Sequence, residues 1–206
     1  MEGVLKIENL PDGWLADRAV KFLDELASAT AGLFGDFLEI GSWHGRSSVV
    51  IGQRVKELGA KLYCIDTWNT KSWDTIAQCL PEDRKKFVWE KDDGNPLEEF
   101  TANIKVAGLE EVIVPLVGTS ESFKGTWDKP LRFIFIDGCH YYDFVKKDAM
   151  WREFLTPGGI IAFHDYTNRR WPGVHIAIDE EMDTDGRFEE AGIGQSIKAF
   201  KHTGKV

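Results

Sequence analysis

The clearest candidate for ligand chemistry is a segment that runs from an apolar stretch into a helix-like one, FLEIGSWHGRSS at positions 37–48. Gly41 and Gly45 permit a tight turn and let a ligand approach the backbone closely. Amide groups at the start of the helix, near Arg46 and Ser47, form an anion site that suits a carboxylate or a phosphate. A strand-to-helix turn without a ligand is the alternative interpretation.

A carboxylate, Asp66, ends the next apolar run 25 residues after Gly41. This spacing is typical of the acid that binds the ribose hydroxyls of a nucleotide, although an isolated Asp often caps a turn or a helix. The G-x-G-x-x-G pattern of a pyrophosphate site is incomplete, because Ser-Trp-His follows Gly41. That favours S-adenosylmethionine (SAM) over NAD, since SAM has no phosphate and carries an ammonium group that Glu39 or Asp137 would neutralise.

Two histidines, His140 and His164, are candidates for the general base. Each stands close to the end of an apolar run. An imidazole with a pKa of about 6.5 takes the proton of a reacting hydroxyl at neutral pH. Histidines that only complete internal hydrogen bonds are the alternative. Tyr141 and Asp148 are expected to orient the following helix rather than to contact a ligand.

The elements that would position these residues alternate along the chain. Continuous apolar runs predict strands of a parallel sheet that is covered on both faces, and a 3.6-residue apolar period predicts helices between them. This alternation predicts a doubly wound α/β sheet with ligands beyond the carboxyl ends of its strands. The predicted strands are 36–41, 61–66, 112–118, 132–138 and 159–165, and the predicted helices are 16–31, 46–58, 97–108 and 141–155.

Length and composition are those of one globular domain covering residues 1–206. Residues 69–95 interrupt the alternation with a charge run, which predicts an insertion that is either a lid over the substrate, a dimer contact or a solvated segment. The net charge of −9 disfavours an extensive nucleic-acid surface. The three cysteines are dispersed and the N-terminus does not resemble a signal segment, which predicts a cytoplasmic protein. No apolar run is long enough to predict a membrane span.

Four motifs together, LEIGSWHGRSS, IDTW, FIDGCHYY and GGIIAFHDY, resemble those of class I SAM-dependent methyltransferases. The resemblance spans residues 36 to about 180 and is nearest to the branch with H-D-Y at the end of the fifth strand, related to catechol-type and macrolide-sugar O-methyltransferases. It implies a Rossmann-like three-layer α/β/α sandwich whose seven-stranded, mostly parallel sheet has the order 3-2-1-4-5-7-6. The final antiparallel hairpin would comprise 187–191 and 195–200.

The resemblance also implies roles for individual residues. Glu39 and Gly41 would lie by the methionine moiety, Asp66 on the ribose, and residues 118–120, which follow the third strand, near adenine. Trp68 would stack on adenine, although packing in the core is the alternative. The complete set expected to bind SAM is Glu39, Gly41, Ser42, Gly45, Arg46, Ser47, Asp66, Thr67, Trp68, Gly118, Thr119, Ser120 and Asp137.

In related metal-dependent enzymes two carboxylates hold one magnesium ion, and Asp137 and Asp165 match that arrangement. This sequence departs from the pattern because His164 and Tyr166 flank the second acid. The resemblance by itself implies Mg²⁺ at a site of Asp137, His164 and Asp165. A histidine ligand shifts the preference from magnesium towards manganese, iron or zinc, so Mn²⁺ is the other expected ion. An aromatic rim around the acceptor is expected from Trp43, Trp73, Tyr166 and Trp171.

The sequence therefore predicts a SAM-dependent methyltransferase that methylates an oxygen of a small-molecule or sugar acceptor. His140, His164 and Asp137 would surround the reacting centre. A homodimer in which the insertion forms the contact is one expected assembly. A SAM-binding module without catalysis is one alternative. A nicotinamide-dependent oxidoreductase on the same fold is another, and the incomplete glycine pattern argues against it.

Overall fold

The computed structural model describes residues 10–69 and 95–205. The predicted insertion at 69–95, including Trp73, lies outside these residues except at its two ends. Among the described residues, no helix combines the length and the apolar character needed to cross a lipid bilayer.

A seven-stranded sheet forms the centre of the fold, in the order β3-β2-β1-β4-β5-β7-β6. The strands β1 to β5 run parallel, and β7 pairs antiparallel with both β5 and β6, which confirms the predicted sheet. The bounds are β1 Asp36–Ile40, β2 Leu62–Asp66, β3 Ile113–Val117, β4 Leu131–Ile136, β5 Leu155–Phe163, β6 Phe188–Gly194 and β7 Ile197–His202. The final hairpin thus ends slightly later than predicted.

Helices cover both faces of this sheet. Their bounds are α1 Asp17–Ser28, α2 Arg46–Leu58, α3 Pro96–Val106, α4 Ser120–Lys124, α5 Tyr142–Ala149 and α6 Pro172–Ile178. The helix predicted over 141–155 is shorter, because α5 ends at Ala149 and a 3₁₀ turn, Met150–Phe154, follows it. That turn includes the fully buried Trp151, and β5 begins directly after it.

The core consists of two layers because successive strand side chains point to opposite faces. In β4, Phe133 and Phe135 pack with residues of α1 and α2, whereas Ile134 and Ile136 pack with residues of α5 and α6. All six residues of β4 are buried. The central strands are therefore fixed from both sides, and their carboxyl ends meet along one edge of the sheet.

Candidate active site

A cavity of about 1100 Å³ lies at the carboxyl ends of the parallel strands. This is where ligands bind in open α/β sheets. The segments that follow β1, β2, β3, β4 and β5 all contribute to its wall. Of the residues predicted to bind SAM, those in the wall are Gly41, Ser42, Arg46, Ser47, Asp66, Thr67, Gly118, Thr119, Ser120 and Asp137.

Gly41 brings the loop after β1 against the end of β4. Its φ is +87°, and a Cβ atom there would lie 2.2 Å from the carbonyl oxygen of Asp137. Gly45 also has a positive φ, +91°, but a Cβ there would meet the side chains of Phe100 and Ile104. Gly45 therefore faces α3 and not the cavity, contrary to the prediction that it contacts the ligand.

Glu39 lies behind the loop, fully buried and outside the cavity wall. The hydroxyls of Ser42 and Ser48 and the thiol of Cys64 all donate to its Oε2 atom. Its Oε1 atom has no hydrogen-bond partner among the described residues, and burial raises the pKa of this carboxyl. The position suits a residue that shapes the loop, whereas the prediction had placed Glu39 beside the methionine moiety.

Asp66 fixes the loops after β1 and β2 to each other. The amide of Trp43 donates to its Oδ2 atom over 2.9 Å, and the amide of Trp68 donates to its Oδ1 atom over 2.8 Å. Burial raises the pKa of the Asp66 carboxyl, while these amide hydrogen bonds lower it. The carboxylate remains part of the cavity wall.

Trp68, for which stacking on adenine was one expectation, does not lie in the cavity wall and packs in the core, as the alternative has it. Its ring packs on Phe100 with centroids 4.9 Å apart, and its Nε1 atom donates to the carbonyl oxygen of Trp43 over 2.7 Å. The backbone at Trp68 is left-handed, with φ +41°. The turn after Asp66 thus directs the indole towards α3.

Residues 12–16, which precede α1, also form part of the wall, and the sequence had given no indication of this. The Arg46 guanidinium holds them in place by donating to the carbonyl oxygens of Leu15 and Pro11 over 2.9 and 2.8 Å. Trp14 lies 6.0 Å from Trp43, centroid to centroid. Arg46 therefore contributes to the cavity mainly by fastening the N-terminal segment across it.

The wall beyond β3 contains a buried polar pair that includes Asp148. Ser120 is the first residue of α4, and its hydroxyl donates to Asp148 Oδ1. Asp148, on α5, is only 4% exposed and lines the cavity, contrary to the expectation that it merely orients the helix. Burial raises the pKa of its carboxyl to about 6.

Two acids and two histidines meet at the ends of β4 and β5. His164 Nδ1 lies 2.9 Å from Asp137 Oδ1 and 3.5 Å from Asp165 Oδ2. His140 Nε2 lies 2.6 Å from Asp165 Oδ2 and 3.9 Å from Asp137 Oδ1. Asp165 has a left-handed backbone, with φ +57°, and such strain concentrates at functional sites.

Each imidazole in this group is held between carboxylates. Burial by itself lowers the pKa of both rings, but the two carboxylates outweigh it and raise the pKa of His140 to about 9 and that of His164 to about 10. In turn, although burial opposes it, the histidines lower the pKa of Asp137 and Asp165. The carboxylates therefore favour the imidazolium form of both rings, and the rings favour the ionised form of both carboxylates.

The same group offers donor atoms for a metal ion. Asp137, His164 and Asp165 each present one ligand atom, and the three atoms lie within 4.8 Å of one another. A mixed set of oxygen and nitrogen donors fits Mn²⁺ or another divalent transition metal better than it fits Mg²⁺. The donor set is thus compatible with the predicted metal site, and a bound cation would displace the imidazole proton.

The predicted aromatic rim is present in part. Trp43 and Trp171 line the cavity, and Trp171 stacks on His140 with centroids 5.1 Å apart. Tyr166 is absent from the wall, because its hydroxyl turns away and donates to Asp179 over 3.0 Å. Trp73 lies outside the described residues.

Comparison with solved structures finds the same fold in O-methyltransferases. NovP has 16% identity and a TM-score of 0.72, with 90% of this chain and 80% of that chain covered. TomG from Streptomyces achromogenes, solved with SAM, has 17% identity and a TM-score of 0.67, with 96% and 85% covered. An O-methyltransferase from Bacillus cereus, solved with SAH, has 16% identity and a TM-score of 0.68, with 95% and 85% covered.

The family comparison covers the strands and loops that build the cavity. The family model described as a methyltransferase domain matches residues 38–166, more than half of the chain. This range begins in β1 and ends at Tyr166, directly after Asp165, the acid that follows β5. The chain therefore belongs to the methyltransferase domain family.

Proposed function

We propose that this protein is a SAM-dependent O-methyltransferase that acts on a small-molecule or sugar acceptor. One observation carries the proposal: a single cavity joins Asp66, a carboxylate at the site of ribose recognition, to the group of His140, His164, Asp137 and Asp165. The first part suits the binding of an adenosyl donor. The second suits deprotonation of an acceptor hydroxyl.

The loop after β1 and the acid at the end of β2 would bind the donor. Asp66 would accept hydrogen bonds from both ribose hydroxyls. The amides at the start of α2 would hold the carboxylate of the methionine moiety, and Asp137 would neutralise its ammonium group. Glu39 contributes indirectly, because it holds Ser42 and Ser48 in the conformation that the loop requires.

The group at β4 and β5 accounts for acceptor activation. SAM supplies a methyl group on a positively charged sulfur, and the chain has to orient an acceptor oxygen in line with it. A positive charge in the cavity opposes the imidazolium form, so it would lower the pKa of His140 or His164 and release a nitrogen to take the acceptor proton. Trp171, stacked on His140, would bound the acceptor.

We further propose that Asp137, His164 and Asp165 hold a divalent metal ion, supported by the convergence of their donor atoms. The metal would lower the pKa of an acceptor hydroxyl. Titration with Mn²⁺ followed by electron paramagnetic resonance tests this, with His164→Ala and Asp165→Asn expected to weaken binding at least tenfold. The exposed Asp143→Asn serves as the control, and equal Mn²⁺ binding by all variants would contradict the proposal.

Calorimetric titration with S-adenosylhomocysteine (SAH), and separately with NAD, tests donor binding. We expect SAH to bind and NAD not to bind. Asp66→Asn and Asp66→Ala are expected to lose at least tenfold in SAH affinity, whereas the exposed Asp128→Asn is expected to match the parent protein. Binding of NAD in preference to SAH would overturn the proposed function.

Turnover distinguishes an enzyme from a SAM-binding module. Conversion of SAM to SAH would be followed with catechol and deoxysugar acceptors, with and without Mn²⁺ or Mg²⁺. Methylation that is lost in His140→Ala supports His140 as the base, and methylation that is lost in His164→Ala while Mn²⁺ binding is retained supports His164. Tight SAH binding without turnover of any acceptor would favour the non-catalytic module instead.

A further inference from the structure

The loop between β5 and α6, residues 164–171, carries both Asp165 and Trp171 into the cavity wall. Asp165 has a left-handed backbone, with φ +57°, which a residue other than glycine adopts only at a cost. Trp171 stacks on His140 with an interplanar angle of 16°. The acid and the ring that flank the same histidine therefore depend on the conformation of one short loop.

Asn168 lies in the middle of this loop and bonds back to Asp165. Its side-chain Nδ2 atom donates to Asp165 Oδ1 over 2.8 Å. Its backbone amide donates to the carbonyl oxygen of Asp165 over 3.0 Å, which closes a turn over residues 165–168. Asn168 thus holds the carboxylate of Asp165 and its strained backbone at the same time.

The bond from Asn168 divides the two oxygens of Asp165 between different partners. Oδ1 faces Asn168, whereas Oδ2 lies 2.6 Å from His140 Nε2 and 3.5 Å from His164 Nδ1. The terminal torsion of an aspartate side chain has broad minima, so neighbouring groups decide where its oxygens point. Asn168 therefore keeps Oδ2 directed at the two histidines.

Asn168 also bonds forward along the loop. Its Oδ1 atom accepts from the amide of Arg170 over 3.1 Å, and its carbonyl oxygen accepts from the amide of Trp171 over 2.9 Å. An Asn side chain that bonds to the backbone two residues further on forms an Asx turn, which sets the direction of the chain. Pro172 then begins α6, so this turn determines where Trp171 stands before the helix.

We propose that Asn168 is a positioning residue that couples the reacting group to the wall of the acceptor site. It acts through Asp165 on one side and through Trp171 on the other. This inference rests on the proposed function and adds a residue that no sequence motif had indicated. If Asn168 only stabilised the loop, its removal would lower the melting temperature without changing the surroundings of His140.

Nuclear magnetic resonance of the histidine side chains, measured on the metal-free protein, tests the coupling to Trp171. The ring current of a stacked indole shifts the imidazole protons of His140 upfield, and Trp171→Ala should remove this shift. We expect Asn168→Ala to remove most of it as well. His140→Gln assigns the resonances. The imidazoles of His44 and His202 should keep their resonances in every variant, which shows that the fold is intact.

Mn²⁺ binding, followed by electron paramagnetic resonance, tests the coupling to Asp165. Loss of a hydrogen-bond partner of a metal ligand typically lowers metal affinity by about 10- to 100-fold, so Asn168→Ala should weaken Mn²⁺ binding by about tenfold or more. Asn95→Ala is the matched control. Its side chain likewise accepts from nearby backbone amides, those of Leu97 and Glu98, but it lies outside the cavity wall. This control should bind Mn²⁺ as the parent does.

The two measurements separate this inference from the proposed function. Unchanged His140 resonances in Asn168→Ala would overturn the inference and leave the proposed function intact. An Mn²⁺ affinity equal to that of the parent would also overturn it. A parent that binds no Mn²⁺ would instead contradict the proposed metal site, and the resonances of His140 would then decide the role of Asn168 by themselves.

Discussion

The side chains that border the cavity fall into two acidic settings with opposite electrostatics. Asp137 and Asp165 are partly buried beside imidazoles, which lower their pKa values and favour the ionised form. Asp148 has no cation in such close contact among the described residues, so burial raises its pKa to about 6. The same side-chain type therefore favours the ionised form beside the histidines and titrates closer to neutral pH beside Ser120.

The raised pKa of Asp148 predicts a pH dependence of stability. Burial disfavours the ionised carboxylate, so the folded protein binds a proton at this position more tightly than the unfolded chain does. The contribution of Asp148 to the free energy of unfolding should therefore fall as the pH rises from about 4 to about 6. Glu121 on α4 raises this pKa and Lys147 on α5 lowers it. Urea unfolding of the parent and of Asp148→Asn across this range checks the prediction: the difference in stability should move in favour of the variant as the pH rises, and a constant difference would contradict it.

Two glycines allow a second prediction about single residues. Gly41 and Gly59 both have positive φ, but only Gly41 faces backbone atoms, whereas a Cβ at Gly59 would meet nothing within 4 Å. Gly59→Ala should cost about 1–2 kcal/mol from the left-handed backbone conformation alone. Gly41→Ala should cost about 3 kcal/mol or more, because the new atom overlaps the end of β4. Urea unfolding measures both, and equal costs would contradict the close approach.

The sequence could place a residue where the backbone defines its position, but not where the direction of its side chain decides what it contacts. The glycine loop and the acid 25 residues later predict the ribose end, because both lie on backbone that the strand–turn–helix pattern defines. Trp68 and Gly45 were misplaced because Phe100, on α3, packs against both. No spacing in the sequence shows that this distant helix returns to the first loop.

At the scale of elements, the order and direction of the strands were predictable, while the pairing of side chains across them was not. Apolar runs and alternation define β1 to β5. The contact between His140 and Asp165 needs the loop after β4 to reach the end of β5, and the sequence places these residues 25 positions apart. Likewise, Arg46 holds the segment before α1 by donating to the backbone carbonyl oxygens of that segment. Every residue type has such an oxygen, so the sequence does not show which ones Arg46 contacts.

Lys198 joins β7 to the turn that follows α6 through ion pairs. It is 3% exposed, and its Nζ atom lies 3.0 Å from Asp179 and 3.1 Å from Asp183, both in the π-helical turn Asp179–Asp183 after α6. Lys198→Met keeps the apolar length but removes the charge. We expect a loss of about 1–2 kcal/mol in unfolding free energy, since the two acids remain partly solvated.

A double-mutant cycle tests whether this loss comes from the ion pairs. Asp183→Asn alone should cost less than Lys198→Met, because its side chain is about half exposed. Combined with Lys198→Met, it should add little further loss, as expected for coupled partners. Strict additivity of the two losses in urea unfolding would contradict the pairing of Lys198 with Asp183 as their source.

At the scale of the whole molecule, the cavity exists only when all the parallel strands are assembled. The segments after β1 to β5 each supply part of its wall, and these strands are neighbours in one sheet. A ligand that bridges them binds the folded state and not the unfolded chain. The free energy of ligand binding at the cavity should therefore add to the free energy of unfolding of the whole domain and raise its melting temperature.

This linkage predicts the size of a thermal shift. SAH at 100 times its dissociation constant stabilises the folded state by about 2.7 kcal/mol. For a domain of this length, each kcal/mol raises the melting temperature by about 2–4 °C, so SAH should raise it by roughly 5–11 °C. Asp66→Ala, which is expected to bind SAH at least tenfold more weakly, should show no more than about half of this shift at the same concentration, whereas Asp128→Asn should shift as the parent does. An undiminished shift in Asp66→Ala would place SAH elsewhere than on the carboxylate that joins the first two strand ends.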